Sequence, residues 1–282
     1  MNDLVTRSIS GIVYVALIVC SILFCGEWGF PILCALFGVI GVIEFHSLCE
    51  PEENSHPLVL PLDIIGMLVV AGSPLLVMAL SDKGVNLQID APFVFFLIYL
   101  IVRLIYQLYV TSDKHPLRCL LVSLSSMLYI GLPLACASAL FLFFGKALAL
   151  TMFVMIWLND TGAYIVGCSI GRHKLFPRIS PKKSWEGFFG GMLFAVVCGL
   201  VVHYLFGSWT VGMSVTALCC YGVIVSAFAT WGDLVESMVK RAVGAKDSGK
   251  IMPGHGGILD RIDSLLLVAP ASLVYLFWLM NL

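Results

Sequence analysis

The segment Trp231-Gly232-Asp233-Leu234-Val235-Glu236-Ser237, followed by Lys240-Arg241, Lys246-Asp247, Pro253-Gly254-His255-Gly256-Gly257 and Asp260-Arg261-Ile262-Asp263, lies between two long apolar runs. Residues 231–264 hold four Asp, one Glu, three Lys and two Arg, in a chain that is 60% hydrophobic and only 12% charged. Charge held against lipid is costly, so such a concentration marks a functional site. Acidic and basic side chains with glycines between them suit a phosphate chain carrying a divalent metal.

The flanking runs set the fold class. Soluble domains use about 45–50% apolar residues, and the mean hydropathy here is +1.01. A membrane-spanning helix needs about 20 mostly apolar residues. Nine stretches qualify, at 9–25, 30–48, 58–80, 91–110, 117–144, 147–170, 187–206, 211–239 and 258–279. The expected fold is all-α: a polytopic integral membrane helical bundle of about nine transmembrane helices. It is read as one membrane domain, 1–282, with N-terminal helices in 1–145 and catalytic helices and cytoplasmic loops in 146–282. The short alternating segments of a membrane barrel are missing from the pattern. The run at 9–25 follows Arg7 without a small-x-small cleavage site, so it reads as a retained first helix. The ten cysteines include no C-x-x-C pair and sit mostly in apolar runs, as small buried hydrophobes do.

A net charge of −1 is uninformative, but its distribution is not. With the N-terminus in the cytoplasm, 13 of the 16 Lys and Arg fall on the inner side, which puts the C-terminus outside. The two most basic loops, after the sixth and eighth spans, then face the cytoplasm of a bacterial-type inner membrane.

Polar residues inside spans come next. Glu44 and His46 sit at the inner end of the second span, where a long side chain snorkels at little cost. Asp63, near the start of the third, is expected to reach the interface. Arg103 is deeper and needs a partner. Asn159-Asp160 interrupts a span and must face the bundle interior or a wet cavity; it reads either as a polar knot between helices or as a ligand or metal site. The following loop carries Arg172, Lys174, Arg178 and Ser180-Pro181-Lys182-Lys183-Ser184-Trp185-Glu186-Gly187. Its plain reading is a positive-inside anchor. Its functional reading is phosphate binding by Lys182 and Lys183, with Ser180 and Ser184 as hydrogen-bond donors at a helix start.

Asp233 and Ser237, and Ser237 and Arg241, are spaced i,i+4, so with Lys240 they can share one helix face. Residues 243–257 hold five glycines and Pro253, so they form a loop. Asp260 and Asp263, at i,i+3, place two hard oxygen ligands on one side of a helix start, a spacing suited to Mg²⁺ shared with substrate phosphates.

The run Ser237-x-Val239-Lys240-Arg241-x4-Lys246-Asp247-x-Gly249-x3-Pro253-x-His255-Gly256-Gly257-Ile258-x-Asp260-Arg261-Ile262-Asp263 resembles the signature of the phosphatidate cytidylyltransferases, or CDP-diacylglycerol synthases. Met252 stands where that family usually has Leu, Ile or Phe. The resemblance covers most of the second half; the first half matches in hydropathy only. It implies the reaction CTP + phosphatidic acid → CDP-diacylglycerol + pyrophosphate, with Mg²⁺ and K⁺ as a candidate second cation. It implies metal ligation by Asp260 and Asp263, with Asp233 or Asp160 completing the site. Lys240, Arg241, Lys246, Lys182 and Lys183 would hold the phosphates. Ser180, Ser184, Ser237, Asp247, His255, Gly256, Gly257 and Arg261 would line the substrate site. CTP, phosphatidic acid and the bilayer are the implied partners, with no nucleic acid; a homodimer is compatible with small residues on helix faces.

Two other classes compete. Intramembrane carboxylates also mark ion or solute transporters, but here the charges gather on one membrane face rather than along a pore. A CDP-alcohol phosphotransferase would carry an Asp-Gly-x-x-Ala-Arg run, which this sequence lacks.

Overall fold

The computed structural model describes residues 3–49, 57–81, 91–110, 115–207, 212–249, 251–252 and 256–280. Nearly all are helical: α1 (Asp3–Leu23), α2 (Gly26–Cys49), α3 (Val59–Ser81), α4 (Ala91–Tyr109), α5 (Pro116–Ser126), α6 (Leu132–Ile170), α7 (Trp185–Phe206), α8 (Val215–Ala242) and α9 (Leu259–Met280). A π-helical turn, Met127–Gly131, joins α5 to α6. The exception is a two-stranded antiparallel hairpin of β1 (Lys174–Phe176) and β2 (Ser180–Ser184), with Lys174 opposite Ser184 and Phe176 opposite Ser180.

Among the described residues, seven helices are long and apolar enough to cross a membrane. The all-α integral membrane architecture stands; the count of nine is not reached by this measure. The apolar part of α1, Ser8–Leu23, is short, and the spans expected at 117–144 and 147–170 form one 55-residue run, Pro116–Ile170. A straight helix of that length would extend roughly 80 Å, far beyond a hydrocarbon core of about 30 Å. The run is broken at Gly145, whose φ of 83° and ψ of 170° are non-helical and suit a residue without Cβ.

The chain divides into two compact units, Met1–Leu142 with Val243–Ile262, and Phe143–Ala242 with Asp263–Leu282. In the first, α2 packs on α1 and α3, and α3 on α4. Small residues permit close contact: a Cβ at Gly66 would collide with the Tyr99 ring, and one at Gly38 would meet Met67 Sδ at 2.8 Å. Asp63 does not reach an interface; it is fully buried. Its Oδ1 accepts from Tyr99 Oη at 2.7 Å, and its carboxylate lies 2.9 Å from His46 Nε2 and 3.5 Å from Arg103 Nε. Arg103 also donates to Ser123 Oγ at 3.0 Å and Gln107 Oε1 at 2.8 Å. Burial of charge is tolerated when opposite charges and hydrogen-bond partners surround it, and side chains from α2, α3, α4 and α5 meet here. These residues form a structural knot.

In the second unit, α7 lies against α8 through glycines. A Cβ at Gly199 would stand 2.7 Å from Leu218 O, and one at Gly222 would stand 2.7 Å from Ala195 O. Where hydrophobic burial gives little drive between helices, close backbone approach of this kind holds them together. Tyr221 and Tyr275 stack at 5.9 Å, and the Tyr275 hydroxyl donates to Ala217 O at 2.8 Å. The outward face of α7, with Phe189, Leu193, Val197 and Val201, is exposed and apolar, as a lipid-facing surface must be.

Candidate functional site

In the second unit, the two polar segments singled out in the sequence converge. Lys183 Nζ lies 2.7 Å from Asp233 Oδ2 and also donates to Thr230 O at 3.3 Å. This ties β2 to α8. Ser237 Oγ donates to Asp233 Oδ1 at 3.2 Å, the i,i+4 relation expected on one helix face. Asn159, Asp160, Lys182, Lys183, Ser184 and Asp233 line one cavity of about 360 Å³. The charges acting on the Asp263 carboxylate are Asp233, Asp160 and Lys183. Asp263 Oδ1 accepts from Ser264 N at 2.6 Å, and Gly232 lets α8 approach the Asp263 carbonyl, which a Cβ would meet at 2.6 Å.

Asn159 and Asp160 divide the two readings left open by the sequence. Asn159 is buried and is the knot: its Oδ1 accepts from Ser226 Oγ at 2.6 Å, and its Nδ2 donates to Asp160 Oδ1 at 3.3 Å. Asp160 is exposed into the cavity. Gly191 is needed beside this pair, because a Cβ there would stand 2.5 Å from Asn159 Oδ1.

The hairpin delivers the lysines. Ser184 Oγ caps α7 by accepting from Gly187 N at 3.2 Å. Glu186, in the first turn of α7, accepts from Arg172 N at 3.1 Å and His173 N at 3.2 Å, and lies 2.6 Å from His173 Nδ1. The basic loop is therefore held at a fixed helix start, with Lys182 exposed and Lys183 turned to Asp233. Ser180 begins β2 opposite Phe176.

Other predicted site residues are placed differently. Lys240 pairs with Glu236 at 2.6 Å, both buried, and Arg241 is exposed. Asp260, Lys246, Asp247, Gly256, Gly257 and Arg261 belong to the first unit. There Asp260 Oδ2 accepts from Ser248 N at 2.9 Å, Ser248 Oγ at 3.0 Å and Gly257 N at 2.8 Å, so the carboxylate anchors the glycine loop. Gly256, at φ 84°, leaves no room for a Cβ beside Asp260. Lys246 and Asp247 are exposed. His255, with Pro253 and Gly254, lies outside the described residues. Sequence reasoning gave no role to Thr230 or Glu236 and read Glu44 as a snorkelling side chain; Glu44 accepts from Ile258 N at 3.0 Å and Leu259 N at 2.9 Å.

Among the described residues, no three His, Cys, Asp or Glu side chains converge as a ready-made metal cage. Mg²⁺ does not ask for one: it binds through one or two carboxylates plus substrate phosphates and water. Asp233 and exposed Asp160, which line the cavity together with Lys183, fit that requirement in charge and donor type.

Residues 5–279 match the model of the cytidylyltransferase family. A phosphatidate cytidylyltransferase of Staphylococcus epidermidis is 48% identical over 126 residues, 45% of this chain and 47% of that protein. One of Staphylococcus haemolyticus is 48% identical over 118 residues, 42% and 44% of the two chains. One of Staphylococcus aureus is 44% identical over 153 residues, 52% and 55%. The matched region thus spans about half the length of these relatives. The family match covers nearly the whole chain, and the chain belongs to the cytidylyltransferase family.

Proposed function

We propose that the protein transfers the cytidylyl group of CTP to phosphatidic acid, giving CDP-diacylglycerol and pyrophosphate at the inner leaflet of the membrane. The observation that carries this reading is the meeting of Lys183 with Asp233 in a cavity also lined by Asp160, Lys182 and Ser184. The names of the relatives support the same substrates.

The attacking oxygen belongs to a phosphate monoester that is already ionised near pH 7, so the residues need supply no strong base. It forms a new P–O bond at the α-phosphorus of CTP, while the bond from that phosphorus to the bridging oxygen breaks and pyrophosphate leaves. The difficulty is bringing two polyanions together and receiving charge on the leaving group; fixed cations reduce both costs. Lys182 is free to meet a phosphate from the cytoplasmic side. Lys183, held by Asp233 and Thr230 O, is pre-oriented toward the cavity. Asp233 and Asp160 would hold Mg²⁺, which when bound neutralises phosphate oxygens and fixes their orientation. Asp260 belongs to the first unit, where its Oδ2 accepts from three loop donors, and is left out of this set. CTP enters from the cytoplasm beside the basic hairpin, and the lipid enters sideways from the bilayer.

The test is conversion of radiolabelled CTP by membranes containing the protein, with added phosphatidic acid and with Mg²⁺ present or chelated. Lipid-soluble label that requires both phosphatidic acid and Mg²⁺ supports the reading. Absence of lipid product, with CTP-independent solute flux instead, would favour the transporter class.

A further inference from the structure

We propose that Glu44 is a positioning residue for nucleotide binding: an acidic side chain on α2 that fixes the glycine loop and the first turn of α9. The inference rests on the cytidylyl-transfer reading above. Glu44 is only 4% exposed. Its Oε1 accepts from Ile258 N at 3.0 Å, and its Oε2 from Leu259 N at 2.9 Å and Ser248 Oγ at 3.3 Å. The Ser248 hydroxyl lies 3.0 Å from Asp260 Oδ2 as well, so the two carboxylates hold the loop from opposite ends through one residue.

The chemistry calls for a carboxylate at this position. Two successive backbone N–H groups at the start of α9 point at Glu44, and a helix N-terminus favours negative charge. A glutamine would offer one oxygen and turn its NH₂ toward the second N–H. An aspartate would fall a methylene short. The loop composition carries the same imprint. A Cβ at Gly249 would collide with the Glu44 carboxylate, and a Cβ at Gly257 would collide with Glu44 and Ser248 Oγ. Two glycines of the signature run are therefore glycines because Glu44 occupies the space beside them. Tyr14 on α1 adds a second tie, donating to Arg261 O at 2.9 Å.

Glu44 touches no substrate in this account. It acts through the backbone of its own unit, which carries Lys246 and Asp247 before the clamp and Arg261 after it. A purely structural role would change how much protein folds, and with it the maximal rate, while leaving Michaelis constants unchanged. A positioning role changes the affinity for the nucleotide.

Initial rates of the purified full-length protein, with CTP and phosphatidate varied in turn, separate these. Glu44→Gln is expected to raise KM for CTP about tenfold, the scale of a lost charge-assisted hydrogen bond, with KM for phosphatidate unchanged. Glu44→Ala and Gly249→Ala are each expected to do the same, and the double variant Glu44→Ala/Gly249→Ala to be no worse than Glu44→Ala, because the collision partner is gone. Unchanged KM values in Glu44→Gln, an equal rise in both, or additive effects in the double variant would overturn the proposal. Wild-type protein that makes no product from CTP would instead overturn the cytidylyl-transfer reading, and this inference with it.

Discussion

At the scale of single residues, carboxylates of one chemical type do three different jobs, and their partners separate them. Asp63 is closed in by Tyr99, His46 and Arg103. Removing one member of such a buried set typically costs about 3–5 kcal/mol. Asp63→Ala should therefore lower the thermal midpoint of detergent-solubilised protein sharply, which fluorescence-detected gel filtration after heating will read. Asp260 turns Oδ2 to the N–H groups of its own loop. Asp233, paired with Lys183, lines the cavity. Asp233→Asn should retain the fold yet lower kcat/KM by about 100-fold or more, the loss usual when a preorganised charge is removed; steady-state rates at saturating Mg²⁺ check it. The sequence made the acidic residues conspicuous but gave no means of sorting them. The spacing of Asp260 and Asp263 put both on one helix face, and nothing local revealed that Ser248 and Gly257 would engage the first.

At the scale of elements, α7 carries much of the site's geometry. Its N-cap, Ser184, closes a hairpin that sequence reasoning took for a loop. Strands of three and five residues, one containing Pro181, offer too little alternation to be recognised. Ser184→Ala removes the cap and should cost about 1 kcal/mol of stability, with a weaker apparent affinity for CTP because Lys182 and Lys183 precede it directly. The midpoint of thermal unfolding and KM for CTP report the two effects separately. The glycines of α7 and α8 are equally exacting. Gly222→Val should abolish recovery of monodisperse protein, since a side chain there meets the Ala195 carbonyl; the yield of folded protein in detergent measures this. The helices themselves were legible because lipid demands long apolar runs. The break at Gly145 was not, because its φ of 83° belongs to a single residue inside a run that is apolar throughout.

At the scale of the whole molecule, membrane insertion and family membership follow from hydropathy and from the match over residues 5–279. The role of the N-terminal half was not legible: Glu44 read as a snorkelling side chain, and its partners lie more than 200 residues away in sequence. We propose that the basic hairpin faces the cytoplasm. A Lys174→Cys variant, in a background cleared of accessible native cysteines, should resist a membrane-impermeant thiol reagent in intact cells and react in inverted vesicles. The central claim is that the lysine–carboxylate cavity performs cytidylyl transfer. It is tested most directly by measuring CDP-diacylglycerol formed from CTP and phosphatidic acid by purified wild-type, Asp233→Asn and Lys183→Ala proteins, each with Mg²⁺ and with chelator. The account predicts Mg²⁺-dependent product from the wild type and its near-complete loss in both variants while they remain folded. Wild-type levels of product from folded Asp233→Asn and Lys183→Ala would contradict it.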